Sequence, residues 1–405
     1  MLKVLLVSLR SPFLDSDRVF PHLAILYLKG VLDKEGIQNQ LEDDFDFDNP
    51  QKYAGFTHFA VSALSSQISE ADKILAFKQK YFPNTKIILG GPAPTFYLED
   101  YQKKPYDFFV IGDGEKAILK ILYGQAERIV NCQMTAEEMN LMPTPFRSAE
   151  FLKKYVYNIN GIHSTTLMTS RGCPFGCDFC ENARTKVKLY TQEHINQEII
   201  DVKRAGFGGI MFFDDLFAMN IKRVREVCSV IKKHNIIFRC FGHSNTMTVE
   251  IAETLADSGC VEIGVGFESG AQSILDVVKH PRTTISKNLN FIKICHKYKI
   301  RVKSFFVLGL PGEASSTINE TEKFIAESGV DDFDLSIYYP YKGTRIRDKM
   351  EEYDLNFVRN GEGSAVGYYK GQHGHAESIV RTSSLSADEI VKARDMIFQK
   401  YKKTP

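Results

Sequence analysis

Residues 165–180 read TTLMTSRGCPFGCDFC, a strand-like run that leads directly into three cysteines with CxxxCxxC spacing. The sulfur-bearing residues are Cys173, Cys177 and Cys180. Glycine and proline residues between them disfavour helix and strand, so this stretch is expected to stay an open loop. Three thiolates so close in the chain can reach one metal centre. The stretch therefore predicts a metal-binding loop at the end of a strand.

The number of cysteines bears on the kind of metal centre. A structural zinc site usually has four protein ligands, and no second CxxC or HxxxH pattern lies nearby. Three cysteines suit a 4Fe–4S cluster with one iron left free for a further ligand. Zinc remains an alternative, and so do coincidental structural thiols, although a loop is a poor place to bury three sulfurs. The remaining cysteines are scattered and are expected to be buried structural thiols: Cys132, Cys228, Cys240, Cys260 and Cys295.

Length and composition set the broad class. A chain of 405 residues suits two domains plus a short extension. The net charge of +1 gives no support for nucleic acid or an anionic membrane surface as a partner. No stretch is long enough for a membrane span, and the opening apolar run ends at Arg10, too early for a secretory signal. We therefore expect a cytoplasmic protein.

The first 131 residues alternate apolar runs with amphipathic stretches. Strands are expected at residues 2–9, 58–64, 86–90 and 108–111, with helices at 22–34 and 69–81. This alternation predicts a doubly wound, Rossmann-like parallel sheet. Its ligand edge would carry glycines at or just after strand ends, namely Gly90, Gly91, Gly112 and Gly114. A linker is expected at residues 132–162.

A second alternating series follows from residue 163 to residue 345. Strands are expected at residues 165–169, 209–213, 236–241, 261–266, 302–308 and 332–338. Six strands with intervening helices predict a partial (β/α)6 barrel, whose catalytic groups gather at the carboxyl ends of the strands. Polar residues stand there, among them Asp214, Asp215, His243, Asn245, Glu268 and Ser269. A short helical C-terminal extension is expected over residues 346–405.

The cysteine spacing, with Phe179 before the last cysteine and a barrel strand before the loop, resembles the radical S-adenosylmethionine (SAM) superfamily over residues 165–341. The resemblance implies that the three cysteines hold a 4Fe–4S cluster and that SAM chelates the free iron. An external reductant such as flavodoxin or ferredoxin would supply the electron that cleaves SAM to a 5′-deoxyadenosyl radical. The radical would then abstract hydrogen from a small-molecule substrate.

The same resemblance implies further cofactor-binding residues. Phe179 lies within the cysteine motif, and Asn245 and Ser269 follow barrel strands. GGIMFFDD ends the second strand where the superfamily often places a group for the SAM amino end, so Asp214 or Asp215 would serve, although the common Gly-Gly-Glu form is absent. VGFES resembles the motif whose glutamate binds the ribose hydroxyls, which implies this role for Glu268. Its alternative role is to cap the following helix.

In the first domain, FPHLAILYLKGVL, IILGGPAPTF and DFFVIGDGE resemble the cobalamin-binding-domain branch of the superfamily. This resemblance implies a bound cobalamin, although the cobalt-ligating DxHxxG motif is absent. Cobalamin-dependent C-methylation of a small molecule or natural product is then the expected reaction. The alternatives are a dehydratase, epimerase, oxidase or rearrangement enzyme with a vestigial cobalamin domain, a tRNA methylthiotransferase-like enzyme, and a zinc-binding module. His243 is a candidate acid or base, and His373 and His375 are candidates for closing over the site.

Overall fold

A computed structural model describes residues 1–10, 18–358 and 376–402, so His373 and His375 lie outside the described residues. The chain divides into two compact units. Residues Met1–Val156 with Arg204–Gly206 form the first unit, and the second begins at Tyr157. The division falls inside the linker expected at residues 132–162. The stretch up to Val156 carries two short helices and is part of the first unit.

The first unit alternates parallel strands with helices. Its elements are β1 (Lys3–Ser8), α1 (Leu23–Lys34), β2 (Gln38–Glu42), β3 (His58–Ser62), α2 (Ile68–Tyr81), β4 (Lys86–Gly90), α3 (Pro92–Tyr101), β5 (Phe108–Gly112), α4 (Gly114–Leu122), β6 (Ile129–Cys132), α5 (Ala136–Leu141) and α6 (Ala149–Leu152). The strand order is β2-β1-β3-β4-β5-β6. This order confirms the doubly wound sheet and places the topological switch point between β1 and β3.

Strand β1 shows why this sheet forms. Its sequence KVLLVS is almost continuously apolar, as expected for a central parallel strand covered on both faces. Val4 and Leu6 are buried in one apolar cluster, and Leu5 and Val7 in the other. Edge strand β2 (QNQLE) was not predicted because its polar sequence lacks the apolar run that marks a buried strand.

The second unit contains the barrel. Its elements are β7 (Asn158–Ile159), β8 (Ile162–Leu167), β9 (Ser170–Arg171), β10 (Lys188–Leu189), α7 (Gln192–Arg204), β11 (Gly209–Phe212), α8 (Ile221–Ile231), β12 (Ile237–Gly242), α9 (Val249–Asp257), β13 (Cys260–Glu268), α10 (Gln272–Val278), α11 (Ile285–Lys297), β14 (Arg301–Leu308), α12 (Ser315–Glu327), β15 (Asp332–Ile337), α13 (Arg345–Asp348), β16 (Asn356–Phe357), β17 (Val380–Arg381) and α14 (Ala387–Tyr401).

The barrel sheet has the order β15-β14-β13-β12-β11-β8-β7. Strands β8 and β11 to β15 are parallel and adjacent in chain order, and β7 pairs antiparallel at the edge. The predicted six-stranded partial barrel is therefore confirmed. We call the rim formed by the carboxyl ends of its parallel strands the barrel mouth. Within the described residues, no helix has the length and apolar character needed to span a membrane.

Candidate active site

The cysteine loop connects β9 to β10 beside the barrel mouth. Strands β9 and β10 pair antiparallel and bring its two ends together. Inside the loop, the Cys173 N–H donates to Thr185 Oγ1 at 2.8 Å. The Gly172 N–H donates to Asp215 Oδ2 at 3.0 Å, and Asn182 Nδ2 donates to Asp215 Oδ1 at 2.9 Å. Asp215, which follows β11, therefore ties both arms of the loop to the neighbouring barrel strand.

Asp178 fixes the centre of the loop, a role that the sequence analysis missed. Its carboxylate is buried and accepts a hydrogen bond from the Tyr353 hydroxyl at 2.9 Å. His280 Nε2 lies 3.2 Å from the same oxygen. The backbone N–H of Asp178 donates to Val278 O at 3.0 Å. Residues distant in sequence thus hold the cysteine loop in place through Asp178.

The three thiols of the loop are half-buried. Burial raises the pKa of Cys180 to about 12 and also raises the pKa of Cys173. Metal coordination favours the thiolate, so binding a positively charged metal centre would deprotonate them. In the described part of the chain, no three His, Cys, Asp or Glu side chains converge to hold a single metal ion. A 4Fe–4S cluster needs no such convergence, because each cysteine binds a different iron.

The other five cysteines are all buried. This burial agrees with their expected structural role. Cys240 Sγ lies 4.0 Å from Cys260 Sγ, a proximity between adjacent strands that the sequence analysis did not foresee.

Asp214 and Asp215 are neighbours in sequence with different environments. Asp214 is 1% exposed and accepts hydrogen bonds from the N–H and Oγ1 of Thr169 and from Ser170 Oγ, at 2.5 to 2.7 Å. Burial raises the pKa of Asp214, and these hydrogen bonds oppose that rise. Its carboxylate is engaged within the protein and is closed to a ligand. Asp215 is exposed and is the member of the pair that a ligand can reach.

Glu268 ends β13 in an unusual backbone conformation, with a φ of +65°. Its Oε1 lies 3.2 Å from Lys279 Nζ, which also donates to the carbonyl of Gly266 at 2.9 Å. Both side chains are buried. Burial acts to lower the pKa of Lys279, but Glu268, Cys177 and Cys180 together hold it above its usual value.

Lys279 was missed by the sequence analysis. The available signal was a cation that directly follows the apolar helix α10, whose sequence is QSILDVV. The structure brings this ammonium group to Glu268 and close enough to Cys177 and Cys180 for these two cysteines to raise its pKa. A buried cation beside these groups is suited to bind a carboxylate.

Two predicted cofactor-binding side chains are occupied by internal contacts. Ser269 is buried, and its hydroxyl lies 3.0 Å from Thr321 Oγ1 and accepts from the Ala271 N–H. The Asn245 side chain donates to the carbonyls of Pro281 and Arg282 and accepts from Lys287 Nζ. Both side chains hold turns at the barrel mouth, and their role as direct ligands stays a prediction. Phe179 packs partly buried against an apolar cluster of the second unit.

The glycines at the edge of the first sheet serve the protein's own backbone. Gly91 and Gly112 have φ values of +91° and +90°. A Cβ on Gly91 would lie 2.7 Å from Ala63 O, and one on Gly112 would collide with Cys132 O. Gly90 and Gly114 would meet only side-chain carbons, at 3.6 and 3.3 Å. The need for glycine at 91 and 112 is therefore explained without a ligand.

Comparison with known proteins identifies the class of the second unit. Residues 167–325 match the model of the radical SAM superfamily. This match covers the cysteine loop and the barrel strands from β11 to β14. The second unit therefore carries a radical SAM domain, and the cofactors that this family implies are a 4Fe–4S cluster and SAM.

Relatives similar over most of the chain are more specific. The chain is 25% identical over 356 residues to an uncharacterized methyltransferase of Pyrococcus horikoshii, covering 80% of this chain and 77% of the relative. It is 23% identical over 389 residues to an anaerobic magnesium-protoporphyrin IX monomethyl ester cyclase of Cereibacter sphaeroides, covering 84% and 63%. It is 22% identical over 363 residues to a bacteriochlorophyllide d C-12(1)-methyltransferase of Chlorobaculum tepidum, covering 85% and 77%.

Two solved structures share the fold. The cobalamin-dependent SAM radical enzyme OxsB with aqua-cobalamin bound matches with a TM-score of 0.76 and 18% identity, covering 98% of this chain and 67% of OxsB. The radical SAM methyltransferase TsrM of Kitasatospora setae, with cobalamin and a [4Fe-4S] cluster bound, matches with a TM-score of 0.73 and 15% identity, covering 98% and 85%. Both alignments extend over nearly the whole chain and include the doubly wound unit.

Proposed function

We propose that this chain is a cobalamin-dependent radical SAM enzyme that methylates a carbon atom of a small-molecule substrate. One observation carries the proposal. A doubly wound unit with its switch point between β1 and β3 precedes the radical SAM core, and OxsB and TsrM, which bind cobalamin, share this architecture. Relatives named as methyltransferases support the reaction type.

We assign the cluster to Cys173, Cys177 and Cys180. With SAM bound, the cluster would supply a one-electron cleavage of SAM to methionine and a 5′-deoxyadenosyl radical. The protein's part is to hold the loop rigid through Asp178 and Asp215, so that the cluster stays in place as its charge changes. Radical SAM enzymes take this electron from an external reductant, and a flavodoxin or ferredoxin is the proposed donor.

We assign the polar end of SAM to charged groups at the barrel mouth. Asp215 is exposed and uses two of its roughly four lone-pair sites on the loop, which leaves capacity for the SAM ammonium group. Glu268 is the proposed acceptor for the ribose hydroxyls. The Lys279 ammonium, which has three N–H donors and uses two, is the proposed partner of the SAM carboxylate.

We place cobalamin at the carboxyl edge of the first sheet, where ligands of doubly wound folds bind. At this edge the chain turns at the ends of β4 and β5, where Gly91 and Gly112 have positive φ values. Because glycine has no side chain, nothing projects from the edge at these two positions. A bound cobalamin would supply a methyl carrier. The first unit would bind and orient it.

The cofactor content of the purified protein tests the proposal. Cells grown with hydroxocobalamin should yield protein with the absorption spectrum of a bound corrinoid in near-equimolar amount. Anaerobic reconstitution should add a broad iron–sulfur absorption and reductive SAM cleavage, both of which Cys177→Ala should abolish. Protein that forms the cluster and cleaves SAM but retains no corrinoid would refute cobalamin-dependent methylation.

The similarity to the anaerobic cyclase favours a second candidate, a radical oxidation or rearrangement without methyl transfer. A cleavage-competent enzyme lacking corrinoid would support this candidate. The methylation proposal instead predicts that the methyl group of isotopically labelled SAM appears in the product.

A further inference from the structure

His243 is the first residue after β12 and lies at the barrel mouth between the strands that lead to Asp215 and Glu268. Its backbone carbonyl accepts hydrogen bonds from the N–H groups of Thr246 and Met247, at 3.0 and 3.2 Å. These bonds make a tight turn that fixes the position of the ring. The backbone of His243 is thus held by hydrogen bonds between the two strands that lead to the proposed SAM-binding residues.

The ring of His243 is fixed in one tautomer. The Asn245 backbone N–H lies 3.1 Å from His243 Nδ1, so Nδ1 accepts a hydrogen bond and carries no proton. The neutral ring then carries its proton on Nε2. Burial, with smaller contributions from the cations Lys279 and Lys287, lowers the pKa of His243 to about 3, so the ring is uncharged at neutral pH.

Within the described part of the chain, the Nε2–H group of His243 has no acceptor. The residue is 7% exposed, and among the described residues no atom accepts a hydrogen bond from Nε2. A buried donor left without a partner costs about 1–3 kcal/mol. The two ring nitrogens point in divergent directions, so Nε2 faces away from the turn that holds Nδ1. A fold that fixes the tautomer and leaves this donor free is suited to donate it to a ligand.

The surroundings of the His243 ring indicate which ligand would accept this hydrogen bond. The ring packs against Phe175 of the cysteine loop, with centroids 4.4 Å apart. The ring is therefore beside the loop that carries the proposed cluster ligands, at the barrel mouth where we propose that SAM binds. A neutral donor suits SAM because its sulfonium already carries a positive charge, and an imidazolium would repel it.

We propose that His243 binds SAM by donating a hydrogen bond from Nε2 to an oxygen or nitrogen acceptor of the cofactor. This inference concerns SAM binding and stands independently of the proposed cobalamin-dependent methylation. Asn245 acts as a positioning residue, because its backbone N–H sets the tautomer while its side chain anchors the turn.

Three variants of the cluster-reconstituted full chain test this role, with SAM as the probe. His243→Phe keeps an aromatic ring against Phe175 but removes the donor. His243→Asn keeps an acceptor near the Asn245 N–H and also removes the donor. His243→Gln retains an amide donor close to the position of Nε2. We expect the Kd for SAM to rise about tenfold in the first two variants, or ~1.4 kcal/mol, and by less than threefold in His243→Gln.

Iron content and the EPR spectrum of the reduced cluster without SAM control for damage to the site. Both should match the wild type in all three variants, whereas the KM for SAM in reductive cleavage should rise while kcat is maintained at saturation. Wild-type SAM affinity in His243→Phe with a full cluster would overturn the inference. Equal losses in His243→Gln and His243→Phe would also overturn it. Corrinoid content tests the methylation proposal separately, so either conclusion can fail alone.

Discussion

The ion pair between Glu268 and Lys279 allows a quantitative test of the barrel mouth. The charged atoms are 3.2 Å apart, and the side chains are only 10% and 3% exposed. At an effective dielectric constant of about 20, two unit charges at this separation attract by roughly 5 kcal/mol. Glu268→Gln removes one charge and keeps a similar shape. Breaking a buried pair costs roughly 3–5 kcal/mol, so we expect the cluster-free protein to lose about 3 kcal/mol, with the amide acceptor offsetting part of the loss.

A bound cluster should reduce the loss of stability that Glu268→Gln causes. Cys177 and Cys180 act on Lys279 in the same direction as Glu268 and raise its pKa. Once they bind iron, both sulfurs are thiolates, and their negative charge partly compensates the Lys279 ammonium that Glu268→Gln leaves without its partner. Glu268→Gln should therefore destabilise the cluster-loaded protein less than the cluster-free protein.

Denaturant unfolding, measured anaerobically with and without the cluster, checks both expectations. The double variant Glu268→Gln with Lys279→Met should be less destabilised than the sum of the two single variants, because it leaves no unpaired buried charge. Glu327→Gln is the matched control, since its pair with Lys323 on α12 is exposed, and we expect no measurable change. A Glu268→Gln protein as stable as this control would refute the assignment of a strong buried pair.

Three further variants test other parts of the structure by unfolding of the cluster-free protein. Asp214→Asn should lower the free energy of unfolding by about 2 kcal/mol and reduce iron incorporation, because an amide cannot accept all three hydrogen bonds. His243 has a folded pKa of about 3 against 6.5 ordinarily, so protonation of the unfolded chain destabilises the fold below pH 6.5. Between pH 6.5 and 5 the wild type should lose about 1.6 kcal/mol more than His243→Phe, and parallel pH profiles would contradict this. Gly112→Ala should cost about 3 kcal/mol through its clash with Cys132 O, whereas Gly124→Ala, with positive φ but open space, should cost about 1 kcal/mol, and equal losses would count against the clash.

Much of the fold could be predicted because the strands of both units are buried. Strand β1 and the barrel strands have apolar runs bounded by turn residues, and these patterns identify them without tertiary information. The sequence gives weaker signals at the margins. Edge strand β2 is polar, and β7 has only two residues, so neither has a pattern that distinguishes it from a loop.

The cysteine loop could also be predicted, because its ligands are contiguous in sequence. The rest of the site depends on contacts between distant residues. Lys279 meets Glu268 across 11 residues, and Asp178 meets Tyr353 across 175. No local sequence pattern predicts such contacts. The contact between the Ser269 hydroxyl and Thr321 on α12 likewise joins residues 52 positions apart.

The side chains with unused binding capacity at the barrel mouth form a set that is complementary to SAM. Asp215 and Glu268 offer carboxylate oxygens, Lys279 offers a third N–H, and His243 offers a neutral donor. Their formal charges sum to −1, whereas SAM has a net charge of +1 from its sulfonium, ammonium and carboxylate groups. A protonated His243 would cancel that attraction. The burial that lowers the pKa of His243 thus preserves the charge balance of the mouth while leaving a hydrogen-bond donor in it.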